Sequence, residues 1–223
     1  MIPSVARFNA LLSASNGNGL GQNIAWESSD LCPCRSPAGT TDPNCPQCRG
    51  LGHIWAAPVA AWSGMASMRI SREWGNMGEW ESGDIVMTIP SDSPFWETGE
   101  YDRVTLIQSS EPFSRVLVAG KTDRLAFMPL SIRRVFWLSC DESEIIEGGI
   151  PTVNNDGSLV WPDGDAVPAA GQRYTVSGRR HPIYFMFRDF PQDRAHASGL
   201  ALPRRVVLRK FDLLGATQSG VVR

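Results

Sequence analysis

Arg173-Tyr174-Thr175-Val176-Ser177-Gly178-Arg179-Arg180-His181-Pro182-Ile183-Tyr184-Phe185-Met186-Phe187 is the stretch that decides the fold class. Two runs rich in β-branched and aromatic residues, 173–176 and 183–187, flank a segment punctuated by Gly178 and Pro182. Runs this short, bounded by breakers, read as strands and not as helices. The second run is apolar throughout, so its strand is expected to be buried on both faces and its aromatics to be core. Working outward, the same pattern recurs at residues 84–89, 104–108, 115–119, 133–138, 159–161 and 205–208, each bounded by Gly, Pro, Asp or Ser. Asn155-Asp156-Gly157 supplies a hairpin turn before Leu159. Eight candidate strands predict a mainly β fold, an antiparallel barrel or sandwich.

The N-terminal third reads differently. Val5, Phe8, Leu11 and Leu12 fall at the three- and four-residue spacing of one short amphipathic helix. From 23 to 52 the chain is dominated by Cys, Pro, Gly, Ser and Asp, with too few apolar side chains to build a core. Cys32-Pro33-Cys34 and Cys45-Pro46-Gln47-Cys48 place four thiols within 17 residues, the sulfur set a structural zinc takes up. Gly50 and Gly52 after the second pair give that half the form of a zinc knuckle, in which backbone amides turn toward the sulfurs. Ligands at positions 32 and 34 share a metal only if the chain kinks between them, and Pro33 is placed to supply the kink. His53 is the alternative fourth ligand, and free thiols without metal the remaining reading. A closed four-ligand site leaves no position for substrate, so the zinc is expected to be structural. The sequence thus divides into residues 1–80, a helix and zinc-stapled, loop-rich extension, and residues 81–223, a β-rich body ending in a C-terminal arm.

Composition narrows the function classes. The 223 residues carry a net charge of −2, which advertises neither a nucleic-acid binder nor an acidic tail. Of 21 basic residues only Lys121 and Lys210 are lysine; the rest are arginine, and there are eight tryptophans. Both types favour interfaces, and among Trp55, Trp62, Trp74, Trp80 and Trp96 one or two are expected to anchor a partner. No apolar run reaches membrane-spanning length and residues 1–16 lack the form of a secretory signal, so the expectation is a soluble intracellular product without membrane contact. Residues 141–165 hold seven acidic and no basic residues, whereas 172–210 hold nine basic and two acidic. Such blocks either neutralise each other within a subunit or pair head-to-tail across subunits of a ring. The second reading makes Asp141, Glu142, Glu144 and Glu147 on one side, and Arg179, Arg180, Arg204 and Arg205 on the other, candidate interface residues.

Catalytic motifs are missing from the sequence. His53, His181 and His196 make no spacing with a nucleophile, and no phosphate loop, dinucleotide fingerprint or metalloprotease motif is present. Cys140, following an apolar run, reads as a small buried hydrophobe. The expectation is a protein that is not an enzyme. Arg179-Arg180, Arg204-Arg205 and Arg209-Lys210, interleaved with Tyr184, Phe185, Phe187 and Phe190, frame an alternative, a zinc-dependent nucleic-acid-binding module.

Arg179-Arg180-His181-Pro182 with Tyr184-Phe185, then Pro191-Gln192-Asp193-Arg194, then the run Leu202-Pro203-Arg204-Arg205-Val206-Val207-Leu208, resemble the C-terminal part of neck proteins of tailed bacteriophages, the head-tail connectors and adaptors. The C-x-x-C-x-G-x-G run over 45–52 ahead of a β-rich body is similar to small virion proteins encoded near phage head genes. The resemblance implies a homo-oligomeric ring with no catalytic residues, assembled in the host cytoplasm into the virion. Its implied partners are other head, neck or tail proteins, with genomic DNA passing through its channel without sequence-specific binding. A tail or baseplate subunit is the alternative within that class.

Overall fold

A computed structural model describes residues 5–13, 20–66, 73–121, 123–139, 142–190, 196–197 and 200–214. Cys140, Asp141, the Pro191-Gln192-Asp193-Arg194 segment and the C-terminal arm beyond 214 lie outside the described residues.

The described residues form a short helix α1 (Val5–Leu12) and sixteen strands: β1 (Gln22–Glu27), β2 (Ser29–Leu31), β3 (His53–Trp55), β4 (Val59–Met65), β5 (Ile85–Ile89), β6 (Arg103–Thr105), β7 (Glu111–Val118), β8 (Pro129–Leu138), β9 (Ile145–Glu147), β10 (Thr152–Val153), β11 (Leu159–Val160), β12 (Arg173–Arg180), β13 (Ile183–Asp189), β14 (His196–Ala197), β15 (Leu200–Ala201) and β16 (Arg204–Lys210). Six of them close an antiparallel barrel in the order β1-β4-β5-β16-β13-β6. The expected mainly β fold is therefore a barrel, with the short N-terminal helix also in place. Closure removes sheet edges that would otherwise present unpaired backbone groups.

Ile24, Met87, Ile89, Phe95, Val104, Met186, Val206 and Leu208 fill the barrel. Val86 and Val207, pointing outward from β5 and β16, pack with Trp74 and Phe190 in a second layer. That double burial explains the unbroken apolar runs in these strands, since neither face meets water. Tyr184 and Phe185 are buried, as expected of the run 183–187, whereas Phe187 is half-buried; Phe190, beyond the run, is buried as well. Beneath the second layer a buried ion pair joins Arg209 to Asp84 at 2.9 Å, with Trp74 Nε1 also donating to Asp84 and the Arg209 guanidinium 3.7 Å from the centre of the Phe187 ring.

The chain clusters into two units, 1–108 with 183–223, and 109–182. A boundary between 80 and 81 is corrected by this division, because β1 and β4 pair with β5 and β6 in one barrel. The misreading has a physical origin. β1 and β4 hold one β-branched residue each, Ile24 and Val59, among Gln, Asn, Ser, Gly and Ala, and their place in the barrel comes from pairing with richer neighbours. The second unit is an insertion between two paired barrel strands, Thr105 of β6 lying opposite Ile183 of β13.

The inserted unit is built on a sheet in the order β7-β12-β8-β9. Its inner face carries Phe113, Leu117, Val135, Trp137, Tyr174 and Val176, against which Phe127, Leu159 and Trp161 pack. Asn154 and Gly157 close the hairpin between β10 and β11 through a 2.8 Å backbone bond, with Gly157 at φ 82°, as the Asn-Asp-Gly signal predicts. Gly178 marks a register shift between β12 and β8. A Cβ there would lie 2.0 Å from the Ser131 carbonyl oxygen, so only glycine allows the strands to approach.

Candidate metal centre

The ribbon β2-β3 carries the cysteine loops, spanning 32–52, at its tip. The Cys32 N–H donates to the Gly52 carbonyl at 2.9 Å, closing the ribbon directly behind the cluster. Arg35 N–H donates to the Cys32 carbonyl at 2.9 Å, which makes 32–35 a β-turn with Pro33 at its second position, where proline's fixed φ is favoured. This turn is the kink that the close spacing of Cys32 and Cys34 requires. At the other half Arg49 N–H donates to Cys45 O and Leu51 N–H to Cys48 O, and the chain reverses through Arg49 (φ 52°) and Gly50 (φ 81°). Gly52, at φ 76°, would carry a Cβ 2.5 Å from the Thr41 methyl, so the return of the loop depends on glycine.

The ligand atoms of Cys32, Cys34, Cys45 and Cys48 all lie within 4.8 Å of one another. Cys32 Sγ is 3.7 Å from Cys45 Sγ, and Cys34 Sγ is 3.4 Å from Cys48 Sγ; the four are free cysteines, not disulfides. A tetrahedral ion with sulfur bonds of about 2.3 Å needs sulfurs about 3.8 Å apart, so the cluster could hold a metal ion with little rearrangement. Cys32, Cys45 and Cys48 are buried and Cys34 half-buried, in a group where cysteines pack mainly on each other. Hydrogen bonds from the backbone N–H groups of Cys48 and Gln47 bring the Cys45 thiol down to about 7, favouring the thiolate a metal needs. Burial and the Cys48 thiol push Cys34 up to about 12. At Cys32 the N–H of Cys34 pulls downward, but desolvation and the neighbouring thiols outweigh it and the net direction is up. A bound cation removes the proton competition that separates these values.

His53, the alternative ligand, is not part of the sulfur cluster. It is buried, its Nδ1 lies 2.9 Å from Ser29 Oγ, and its ring stacks on Tyr101 with centroids 4.4 Å apart. Burial first, and the nearby Arg35 charge second, lower its pKa, so the ring is neutral at neutral pH.

The residues that seat this ribbon on the barrel were missed by motif and spacing. Asp102, 4% exposed, accepts four hydrogen bonds: Trp26 Nε1 at 2.8 Å, Ser29 N–H at 2.7 Å, Thr98 Oγ1 at 3.0 Å and Gly99 N–H at 2.9 Å. Trp55 Nε1 donates to the Tyr101 carbonyl at 3.0 Å, and Tyr101 sits at φ 70°. Arg103 makes a two-bond pair with Glu27 and lies over the Trp55 ring. In the sequence Asp102 is one acid in a Gly-Glu-Tyr-Asp turn, and only the fold distinguishes it from a solvated one.

The proposed interface residues are distributed unevenly. Arg180 is buried, 2.9 Å from Glu111 and stacked on Phe127. Arg179 donates to the carbonyl and hydroxyl of Ser110, and Arg204 holds Asp189 and the carbonyls of Trp96 and Thr98. Arg205 also has an interaction within the chain. Glu147 pairs with Arg134. The four arginines of the expected pairing thus each have an interaction inside the chain, and Arg180 requires its own because a buried charge without a partner is costly. Glu142 and Glu144 are exposed. Of the five front tryptophans, Trp74 is core and Trp80 is 50% exposed. No helix among the described residues is long and apolar enough to cross a membrane.

Compared with known protein families and with curated proteins, the chain matches none.

Proposed function

We propose that this protein is a structural, ring-forming component of the neck of a tailed bacteriophage, a head-tail connector or adaptor assembled in the host cytoplasm into the virion. The sequence resemblance carries the phage assignment, and one structural observation supports self-association. The outer face of the inserted sheet leaves Val116, Leu138 and Ile145 exposed by 65%, 47% and 57%, more apolar surface in one place than a sheet facing water needs. The role is mechanical: the ring bridges neighbouring rings of head and tail and keeps a channel open for DNA, with no reaction to perform.

The metal in this reading is zinc, held by Cys32, Cys34, Cys45 and Cys48. All-sulfur tetrahedral donor sets favour zinc, and four protein ligands complete its coordination, leaving it a structural role. It supplies folding free energy to a loop that has no core of its own. Purified protein treated with a chelator and sized by native mass spectrometry tests both parts. Rings carrying one zinc per chain support the reading; a monomer without metal contradicts it.

A further inference from the structure

The outer face of the β7-β12-β8-β9 sheet combines unpaired charge with exposed apolar side chains. Residues opposite one another on antiparallel strands share a face. Val116, Thr175, Phe136 and Glu147 therefore form one row across the sheet, and Val118 and Arg173 belong to the next. Leu138 and Ile145 are opposed on the same side. Within this face Arg134 is used up, paired with Glu147 and lying 4.7 Å above the Phe136 ring. Arg173 is different: it is exposed, set among Val118, Leu138 and Ile145, and among the described residues no carboxylate pairs with it. Glu142 and Glu144, in the turn between β8 and β9, are exposed acids that also lack an ion pair among the described residues.

We infer that this face docks a second copy of the chain, with the Glu142-Glu144 turn of one copy set against Arg173 of the next and with Val116, Leu138 and Ile145 as the apolar centre. The inference rests on the ring reading for its partner and replaces the spent arginines with one that is available. Area says how much more than the sheet such an interface must use. Strands of eight, eight, ten and three residues, at about 3.3 Å per residue and about 4.8 Å apart, give a face of roughly 450 Å². A stable interface needs about 800 Å² per partner, so the sheet face is insufficient alone and an element beside it must add to it. The acidic turn is such an element, and its charge is opposite to that of the arginine it would meet. Like charges or a bare apolar surface would not fix the register; an unpaired cation amid apolar side chains does.

The test is the oligomeric state of the full chain by native mass spectrometry and sedimentation, with circular dichroism and bound-metal content confirming that each variant folds. Val116→Glu and Arg173→Glu are expected to raise the concentration at which wild type assembles by about tenfold or more, since both sit at the interface centre. Glu142→Arg with Glu144→Arg is expected to do the same, and joining these to Arg173→Glu is expected to restore assembly. Because all four positions are exposed, folding is expected to survive. Wild-type rings that persist unchanged in the Val116 and Arg173 variants overturn the docking face while leaving the ring reading intact. Failure of the charge-swapped protein to recover overturns the Arg173 pairing. A wild type that stays monomeric at all concentrations removes both.

Discussion

Buried carboxylates that find every partner inside the barrel unit are the single side chains on which its stability depends most. Asp102 satisfies four donors, from the barrel strand β1, from the start of β2 and from its own turn. Asp102→Ala is expected to destabilise the barrel unit by about 3 kcal/mol in urea unfolding, because donors that lose a charged acceptor remain buried. A change within a few tenths would show that the seat is dispensable. Asp84 is equally enclosed, its side chain fully buried beside Arg209. Asp84→Ala leaves a buried guanidinium unpaired and is expected to cost about 3–5 kcal/mol; Asp84→Ala with Arg209→Met is expected to recover part of it. His53 adds a pH dependence. Its folded pKa is depressed, by burial and by Arg35, so below about pH 6.5 the unfolded chain binds the proton more readily. Stability is thus complete above that pH and falls as the solution is acidified. His53→Gln is expected to flatten this part of a urea-midpoint profile between pH 7 and 5; an unchanged slope would show that the ring contributes nothing to it.

At the element scale the cysteine ribbon and the inserted sheet depend on different forces. The loops over 32–52 carry four thiols but no apolar core, so chelation is expected to open them while the barrel persists. Limited trypsin digestion with peptide mass mapping reads this directly, through new cleavage after Arg35 and Arg49 only when metal is removed. Equal protection with and without chelator would contradict a metal-ordered ribbon. All eight strands read from the sequence are present, because turn residues and β-branched runs mark them locally. The observed β7 and β8 extend further toward the N-terminus, starting at Glu111 and Pro129, where pairing with β12 continues past the apolar centre of each run. Strands β1 and β4 were not legible, since Gln22, Asn23, Ala60 and Gly64 have no intrinsic preference for a sheet and are held by their neighbours. The four cysteines were legible in full, as side-chain chemistry and spacing survive any backbone path. The arginine partners were not: charge blocks in sequence say nothing of which guanidinium finds Ser110, Glu111 or Asp189.

At the scale of the whole molecule the chain is a barrel interrupted by an inserted unit. Thr105 and Ile183 are opposed in the barrel, so residues 109–182 leave and return at neighbouring strands. Replacing them with a short Gly-Ser linker is expected to yield a folded barrel unit that retains its metal and loses self-association. Assembly by that shortened protein would move the interface to the barrel. Native mass spectrometry of the intact chain measures metal content and assembly at once. A defined multiple of subunits, each with about one zinc, is the predicted result; a monomer free of metal would contradict the account.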